Sequence, residues 1–347
     1  MASRKSYSNI KKDEHVVFFR TNAHLSDDHA HWIIPIHGWI YEPENSRFRK
    51  KLVSSIFEKK YELKVTSEND SVFSERLNLL IADNERGKRI LIRLGKHTKV
   101  LPKSRPNGHF RGEMKIPVDE AEELAVNGLL QYEAIVSPKE DRRFCGQCLL
   151  KLDRGVSIIS DIDDTVKVTQ VRERRKLIEH TFFKRFSAVE GMATLYRDFE
   201  KSGATLQFVS SSPWQLYKPL LDFLAANNFP WAPLQLKSVR FRDETLFNLF
   251  KKGTTTKPAQ IEPILKAYPK RKFILIGDSG EQDPEVYGEI ARRYPENITN
   301  ILIRNISGET FENDRFKAAT AGTPTSIWSL FDNPASIKTE ELLGAVC

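Results

Sequence analysis

Between Val16 and about Leu152 the apolar residues fall in short runs: Val16 to Phe19, Trp32 to Ile34, Leu79 to Ile81, Ile90 to Ile92 and Leu129 to Val136. Turn-forming residues separate them, among them Asn45-Ser46, Asp83-Asn84 and Pro106-Asn107-Gly108. Runs of this length between turn signals predict strands, and their spacing suits an antiparallel, sandwich-like all-β domain over residues 14–152. One segment, Val118 to Asn127, reads as a short helix.

After Gly155 the texture changes. Strand cores at Val156 to Ile159, Leu206 to Val209, Phe273 to Ile276 and Ile301 to Ile303 alternate with helical stretches. Between the last two, Val286, Tyr287, Ile290, Ala291 and Tyr294 recur at helical spacing, which makes a β-α-β unit and implies an α/β domain with a parallel sheet. Ser212 before Pro213 reads as a helix N-cap, with Pro219 a rival start because proline breaks a helix interior. The tail from Phe316 to Cys347 has few apolar runs and is expected to pack loosely. These patterns divide the chain into 14–152, 153–310 and a C-terminal extension, 311–347.

Length agrees, since 347 residues suit about two domains. Hydrophobic content of 40% and charged content of 29% are those of a globular chain. There is no run of about 18 apolar residues, and Met1 to His15 lacks an apolar core, so the expectation is a cytoplasmic protein without a spanning helix or secretory signal. Three cysteines agree with a reducing compartment. The net charge of +8 favours anionic partners: phosphorylated metabolites, nucleic acid or an anionic membrane surface.

Ser160-Asp161-Ile162-Asp163-Asp164-Thr165 follows directly on an apolar strand. Three carboxylates at the C-terminal end of a parallel strand repel one another, and a hard divalent cation offsets that charge. Ligands of such sheets bind just beyond these strand ends. Alone, the run reads equally as an acidic turn capping a helix. Three further features accompany it. Ser210 to Ser212 close a second strand, in a position suited to phosphate. Lys257 opens a helix before the third strand, which itself ends in Gly277-Asp278-Ser279-Gly280-Glu281-Gln282-Asp283.

In this order the residues resemble the four-motif signature of the haloacid dehalogenase superfamily. More closely, GVSIISDIDD (Gly155 to Asp164), Gly191-Met192-Ala193, FVSSSPWQLY (Phe208 to Tyr217) and FILIGDSGEQDPEVY (Phe273 to Tyr287) resemble the App1-type phosphatidate phosphatase family, over about residues 110–305. The resemblance implies a Rossmann-like catalytic domain joined to a β-rich module. It implies that Asp161 attacks phosphorus to form an aspartyl-phosphate, and that Asp163 protonates the leaving alkoxide and then activates water. Mg2+ would be held by Asp161, the Asp163 backbone carbonyl and Asp278, with Asp283 close by. Ser210 and Lys257 would hold phosphoryl oxygens. Lys237 rivals Lys257 for the lysine role, and Thr165, Ser211, Lys237 and Arg172 are candidates for substrate contact. Val166 stands where Ile is more usual.

The segment from Lys167 to Glu190 is the obvious small insert, and a small cap leaves a site open to large or membrane-bound substrates. It is basic, with Arg172, Arg174, Arg175, Lys176, Lys184 and Arg185, and it carries Phe182, Phe183 and Phe186. A cationic, aromatic face suits peripheral contact with an anionic bilayer; the alternative is that the phenylalanines are core. His24, His29 and His31 lack a cysteine partner for a transition-metal site, and Cys145-Gly146-Gln147-Cys148 lacks the helix N-terminus that activates a thiol. Gly253 to Lys257 lacks the full spacing of a P-loop, so no nucleotide cofactor is expected. The expected function is Mg2+-dependent hydrolysis of phosphatidate. A phosphomonoesterase for a soluble or nucleic-acid-end phosphate and a non-catalytic lipid-binding scaffold are the alternatives.

Overall fold

A computed structural model describes residues 6–43, 47–238 and 256–344. Residues 253–255, part of the segment read against a P-loop, lie outside the described residues. In chain order, β1 (His15–Phe19), β2 (Thr21–Leu25) and β3 (His31–Glu42) precede two helices, α1 (Arg47–Tyr61) and α2 (Asp70–Leu80). Then come β4 (Asp83–Asn84), β5 (Leu91–Leu94), β6 (His97–Val100), β7 (His109–Pro117), α3 (Val118–Leu124), β8 (Leu129–Ala134) and β9 (Cys145–Leu150). The second half begins with β10 (Val156–Ser160), α4 (Arg174–Phe182), α5 (Met192–Lys201), β11 (Thr205–Pro213), α6 (Tyr217–Ala226) and β12 (Leu234–Lys237). It continues with α7 (Lys257–Ala267), β13 (Lys272–Asp278), α8 (Asp283–Arg293), β14 (Ile298–Arg304), α9 (Asp314–Thr320), β15 (Trp328–Phe331) and α10 (Thr339–Gly344).

The chain forms two compact units, Met1–Asn45 with Asn78–Asp153, and Ser46–Leu77 with Arg154–Cys347. In the first, strands run in the order β1-β3-β2-β9-β8-β5-β6, with β4 and β7 also on β3. The pairing is antiparallel except that β2 runs parallel to β9, so the sheet is mixed rather than antiparallel throughout. Alternate residues of β3 (Trp32, Ile34, Ile36) share one core with Ile92, Leu94, Leu130 and Tyr132, which is the period-2 burial of a half-buried sheet.

The second unit is built on a parallel sheet in the order β12-β11-β10-β13-β14-β15. All five residues of β10 are buried, as are the last six of β13, as expected of central strands covered on both faces. The chain moves outward from β10 to β11 and β12, then returns to the other side of β10 for β13. The order therefore reverses beside β10, and a crevice opens at the carboxyl ends of strands at such a switch point.

Four expectations are corrected or resolved. The run Leu79 to Ile81, expected as a strand, mostly closes α2. Val53, Phe57 and Tyr61, then Phe73, Leu77 and Leu80, are buried at intervals of three or four, a helical period that short-run reading passes over. Of the two readings of the phenylalanines, membrane-facing or core, Phe182 and Phe183 follow the second: they pack on Phe57 and Phe73, with ring centroids 4.7–5.5 Å apart. Phe186 lies under the Arg76 guanidinium, 3.7 Å from its ring centroid. The tail, expected to pack loosely, adds β15 to the sheet beside β14 and buries Phe316, Ala319 and Trp328 against Tyr287 and Ile290. Nor does Ser212 cap a helix. β11 runs to Pro213, and α6 starts at Tyr217, with Pro219 in its first turn, where the missing N–H has no intrahelical acceptor to lose.

Candidate active site

The strand β10 ends at Ser160, and the Asp161 N–H still reaches the Ile276 carbonyl at 2.9 Å. The chain then turns sharply, with Asp164 at φ +56°, a conformation that Asp tolerates better than most residues. Its carboxylate accepts the N–H groups of Thr169, Gln170 and Val171 at 2.7, 2.8 and 2.6 Å. Arg304 donates to its carbonyl at 2.6 Å. The third acid of the run thus folds the loop that carries the other two.

Asp161, Asp278 and Asp283 are buried, with carboxylate oxygens all within 4.8 Å of one another. Asp278 ends β13 and Asp283 begins α8, so the parallel pairing of β10 with β13 is what assembles them. Close approach needs Gly277: a Cβ there would lie 2.3 Å from Asp283 Oδ2. Lys257 Nζ sits 2.8 Å from Asp161 Oδ1, contacts Asp283 and lies 3.5 Å from Glu281. Apart from the Lys257 ammonium on Oδ1, the buried carboxylate oxygens of Asp161 have no hydrogen-bond donor among the described residues. Burial raises Asp161 and Asp278 well above the usual carboxylate range; Lys257 opposes this in both, while the neighbouring acids add to it. The same carboxylates hold the Lys257 ammonium protonated although burial opposes its charge.

Asp163 behaves in the opposite sense. Burial alone would raise it, but Lys167 Nζ at 2.7 Å from Oδ1, with hydroxyl donors, brings it below the ordinary value. Thr169 Oγ1 donates to Oδ1 at 2.9 Å, and Ser210 and Ser212 Oγ each donate to Oδ2 at 3.1 Å. Two acids two residues apart therefore occupy electrostatically different surroundings, the arrangement that lets one bind and the other exchange protons.

Of the residues singled out from the sequence, Asp161, Asp163, Ser210, Lys257, Asp278 and Asp283 converge. Thr165 Oγ1 lies 3.5 Å from Asp278 Oδ2. Ser211 is half-buried, Lys237 ends β12 opposite Pro213, and Arg172 is exposed with Nη1 3.5 Å from the Ile306 carbonyl. No hydrogen bond or ion pair joins these last three to the carboxylates among the described residues. Lys167 and Thr169 were missed, and Ser212 and Glu281 were read only as parts of their motifs, without a role of their own. The spacing of Lys167 four residues after Asp163 was the available signal, whereas nothing local marks Thr169. Arg315 was missed too: from α9 it donates to the Ser279 carbonyl at 2.6 Å and contacts the Glu281 carbonyl, gripping the acidic loop. Its anchors are Glu285 at 2.7 Å and Glu309 at 2.9 Å.

Residues 156–305, which hold every member of this cluster, match the family model described as phosphatidate phosphatase APP1, catalytic domain. Over these residues the chain is similar to the App1 family. An uncharacterized protein of Schizosaccharomyces pombe is 38% identical over 164 residues, covering 46% of this chain and 26% of its own length. The phosphatidate phosphatase APP1 of Saccharomyces cerevisiae is 35% identical over 154 residues, 43% of this chain and 26% of its own. The chain thus matches about a quarter of the length of these two relatives. Among solved structures, a Thermotoga maritima chain described as a β-phosphoglucomutase is 14% identical over 55% of this chain and 97% of its own, at a TM-score of 0.30, too low to bear on the fold.

Proposed function

We propose that the chain is a Mg2+-dependent phosphatase that hydrolyses phosphatidate to diacylglycerol and phosphate, on a Rossmann-like catalytic domain of the haloacid dehalogenase type. The observation that carries this reading is the meeting of Asp161, Asp278, Asp283 and Lys257 at the end of β10, inside the App1-type segment. The catalytic unit is taken as Ser46–Leu77 with Arg154–Cys347, wider than the 153–310 read from the sequence.

The donor set fits a hard divalent cation: three crowded, buried carboxylates, one of which, Asp161, has no donor on its Oδ2 among the described residues. Asp161, the Asp163 carbonyl and Asp278 would hold it, with Asp283 beside them, and it would offset charge on the transferring phosphoryl group. Asp161 attacks phosphorus, and the P–O bond to the glycerol oxygen breaks as the aspartyl-phosphate forms. Asp163 gives its proton to that leaving oxygen. The dianionic phosphate favours the protonated form of Asp163 before attack, against the pull of Lys167. In the second half Asp163 takes a proton from water, which attacks the same phosphorus and frees Asp161. Ser210 and Lys257 orient the phosphoryl oxygens and offset their charge.

The test is phosphate release from phosphatidate in mixed micelles, run beside a soluble aryl phosphate and a 3′-phosphorylated oligonucleotide, with and without Mg2+. Preference for the lipid with Mg2+, lost in Asp161→Asn, is the expected result. Release from the aryl phosphate alone would keep the chemistry and remove the lipid, and release from none would leave a non-catalytic scaffold.

A further inference from the structure

The net positive charge of this protein is concentrated in two short segments. Residues 47–64 hold seven Lys and Arg against two Glu, and residues 167–185 hold seven against two, so together they exceed the net charge of +8 of the entire chain. They lie more than a hundred residues apart in sequence, yet tertiary structure joins them within the second unit. Phe57 and Phe73 pack on Phe182 and Phe183, and Arg76 caps the end of α4 by donating to the carbonyls of Thr181 and Lys184 at 2.6 and 2.7 Å. The junction is cationic. Around Tyr61, Lys60 Nζ lies 5.9 Å and the Arg174 guanidinium 5.8 Å from the ring centroid, and Arg175 Nε donates to the Tyr61 carbonyl at 3.0 Å.

Cations from two segments within a few ångströms of one aromatic ring lie inside a Debye length of about 8 Å, so they repel, and an extended anionic surface relieves that repulsion. Lys59, Lys60, Arg174 and Arg185 are exposed on long stems. Leu52, two helical turns before Lys59 and on the same face of α1, is 48% exposed, an apolar side chain set among cations as at a bilayer interface. The segment 167–185 begins with the buried Lys167, which touches Asp163, so the chain runs from the candidate site directly into α4.

We infer that the composite face of α1 and α4 is a docking surface for an anionic lipid bilayer, which brings a membrane-resident phosphomonoester to the strand ends. The lipid source rests on the proposed function; the electrostatic face itself does not. It differs from a surface made of the basic insert alone, because part of its charge comes from α1, with Lys59 and Lys60 exposed, and its phenylalanines hold the two segments together instead of entering lipid.

The test uses the full chain in two variants, K59Q/K60Q on α1 and R174Q/R185Q on α4 and its C-terminal flank, and the combined quadruple. Co-sedimentation is measured with phosphatidylcholine vesicles with and without about one-fifth phosphatidylserine, and phosphate release is measured from vesicle phosphatidate and from a short-chain, monomeric phosphatidate. At about fivefold partitioning per basic residue, each pair should weaken binding to anionic vesicles about 25-fold and the quadruple about 600-fold. Release from vesicle phosphatidate should fall in step, while release from the monomeric lipid stays unchanged. If R174Q/R185Q weakens binding and K59Q/K60Q does not, the insert acts alone and the composite surface is wrong. Unchanged vesicle binding in the quadruple overturns the inference, as does vesicle binding by the parent that does not depend on phosphatidylserine. Vesicle binding that follows the inference without phosphate release from either lipid would keep the docking surface and remove the proposed enzyme.

Discussion

Lys257 Nζ stands 2.8 Å from Asp161 Oδ1 and also contacts Asp283, a buried cation between an acid at the end of β10 and one at the start of α8. Removing it leaves like charges buried together. Lys257→Met should therefore destabilise the second unit by about 3–5 kcal/mol in EDTA. Part of that loss should return with Mg2+. Urea melts with and without the ion check it, and equal stability of parent and variant in EDTA would show that the lysine does not offset the cluster.

Asp161→Asn should lower phosphate release about ten-thousandfold or more, since it removes the attacking atom. Asp163→Asn should cost about 100- to 10,000-fold, the usual share of a positioned acid or base. Burst kinetics separate them, because only Asp163→Asn can retain a slowly hydrolysed phospho-enzyme. Two variants of equal, small effect would place the chemistry elsewhere.

Gly277→Ala puts a methyl group where Asp283 Oδ2 lies, 2.3 Å from the new Cβ. Because the obstacle is the start of α8 rather than a flexible chain end, Asp283 must move. Activity should fall by ten- to a hundredfold, the scale of a misplaced catalytic group, with a raised Mg2+ requirement. A wild-type Mg2+ titration would show that Asp283 does not help to hold the ion.

Stability should depend on pH with a sign set by the cluster. Asp161 and Asp278 have folded pKa values raised above the ordinary 3.8, so the native state holds more protons than the unfolded one and loses stability as pH rises above about 4. Asp163, lowered below 3.8, has the opposite sign, and its contribution is lost as pH falls below about that value. Mg2+ should therefore raise Tm strongly at neutral pH and little near pH 4. An equal Tm shift at both pH values would argue against carboxylate binding.

In the first unit, His37 Nε2 and His109 Nδ1 meet at 2.9 Å. Burial, with Arg111 and Arg105, lowers His109 to about 4, and burial with the same arginines lowers His37. A base depressed in the native state binds fewer protons than when unfolded, so stability is lost as pH falls from about 6.5 towards 4. His109→Gln should flatten that slope, read from urea melts followed by Trp fluorescence. An unchanged slope would shift the acid sensitivity to other groups.

Arg315 links the tail to the acidic loop. Arg315→Ala should lower activity about tenfold through a raised Mg2+ requirement while the fold persists. Ending the chain after residue 310 should cost far more, since β15 and the buried Phe316 go with it. A truncated chain as stable as the parent would contradict the packing of the tail.

The sequence by itself determined what depends on neighbours along the chain: the apolar cores of β10, β11, β13 and β14, the acids at their carboxyl ends, and the family those motifs resemble. Parallel strands buried on both faces leave continuous Val, Ile and Leu runs, and chemistry at strand ends leaves short motifs, so both are legible locally. What depends on distant partners was not. The helical period of Val53, Phe57 and Tyr61 was there to be read, but that α1 and α2 would serve the second unit was decided by Phe182 and Phe183, more than a hundred residues later. The tail had no long apolar run because an edge strand and a short helix need to bury only one face. Lys167 and Arg315 became part of the site only because a buried charge takes whichever partner the packed structure places within reach, and sequence distance sets no limit on that choice.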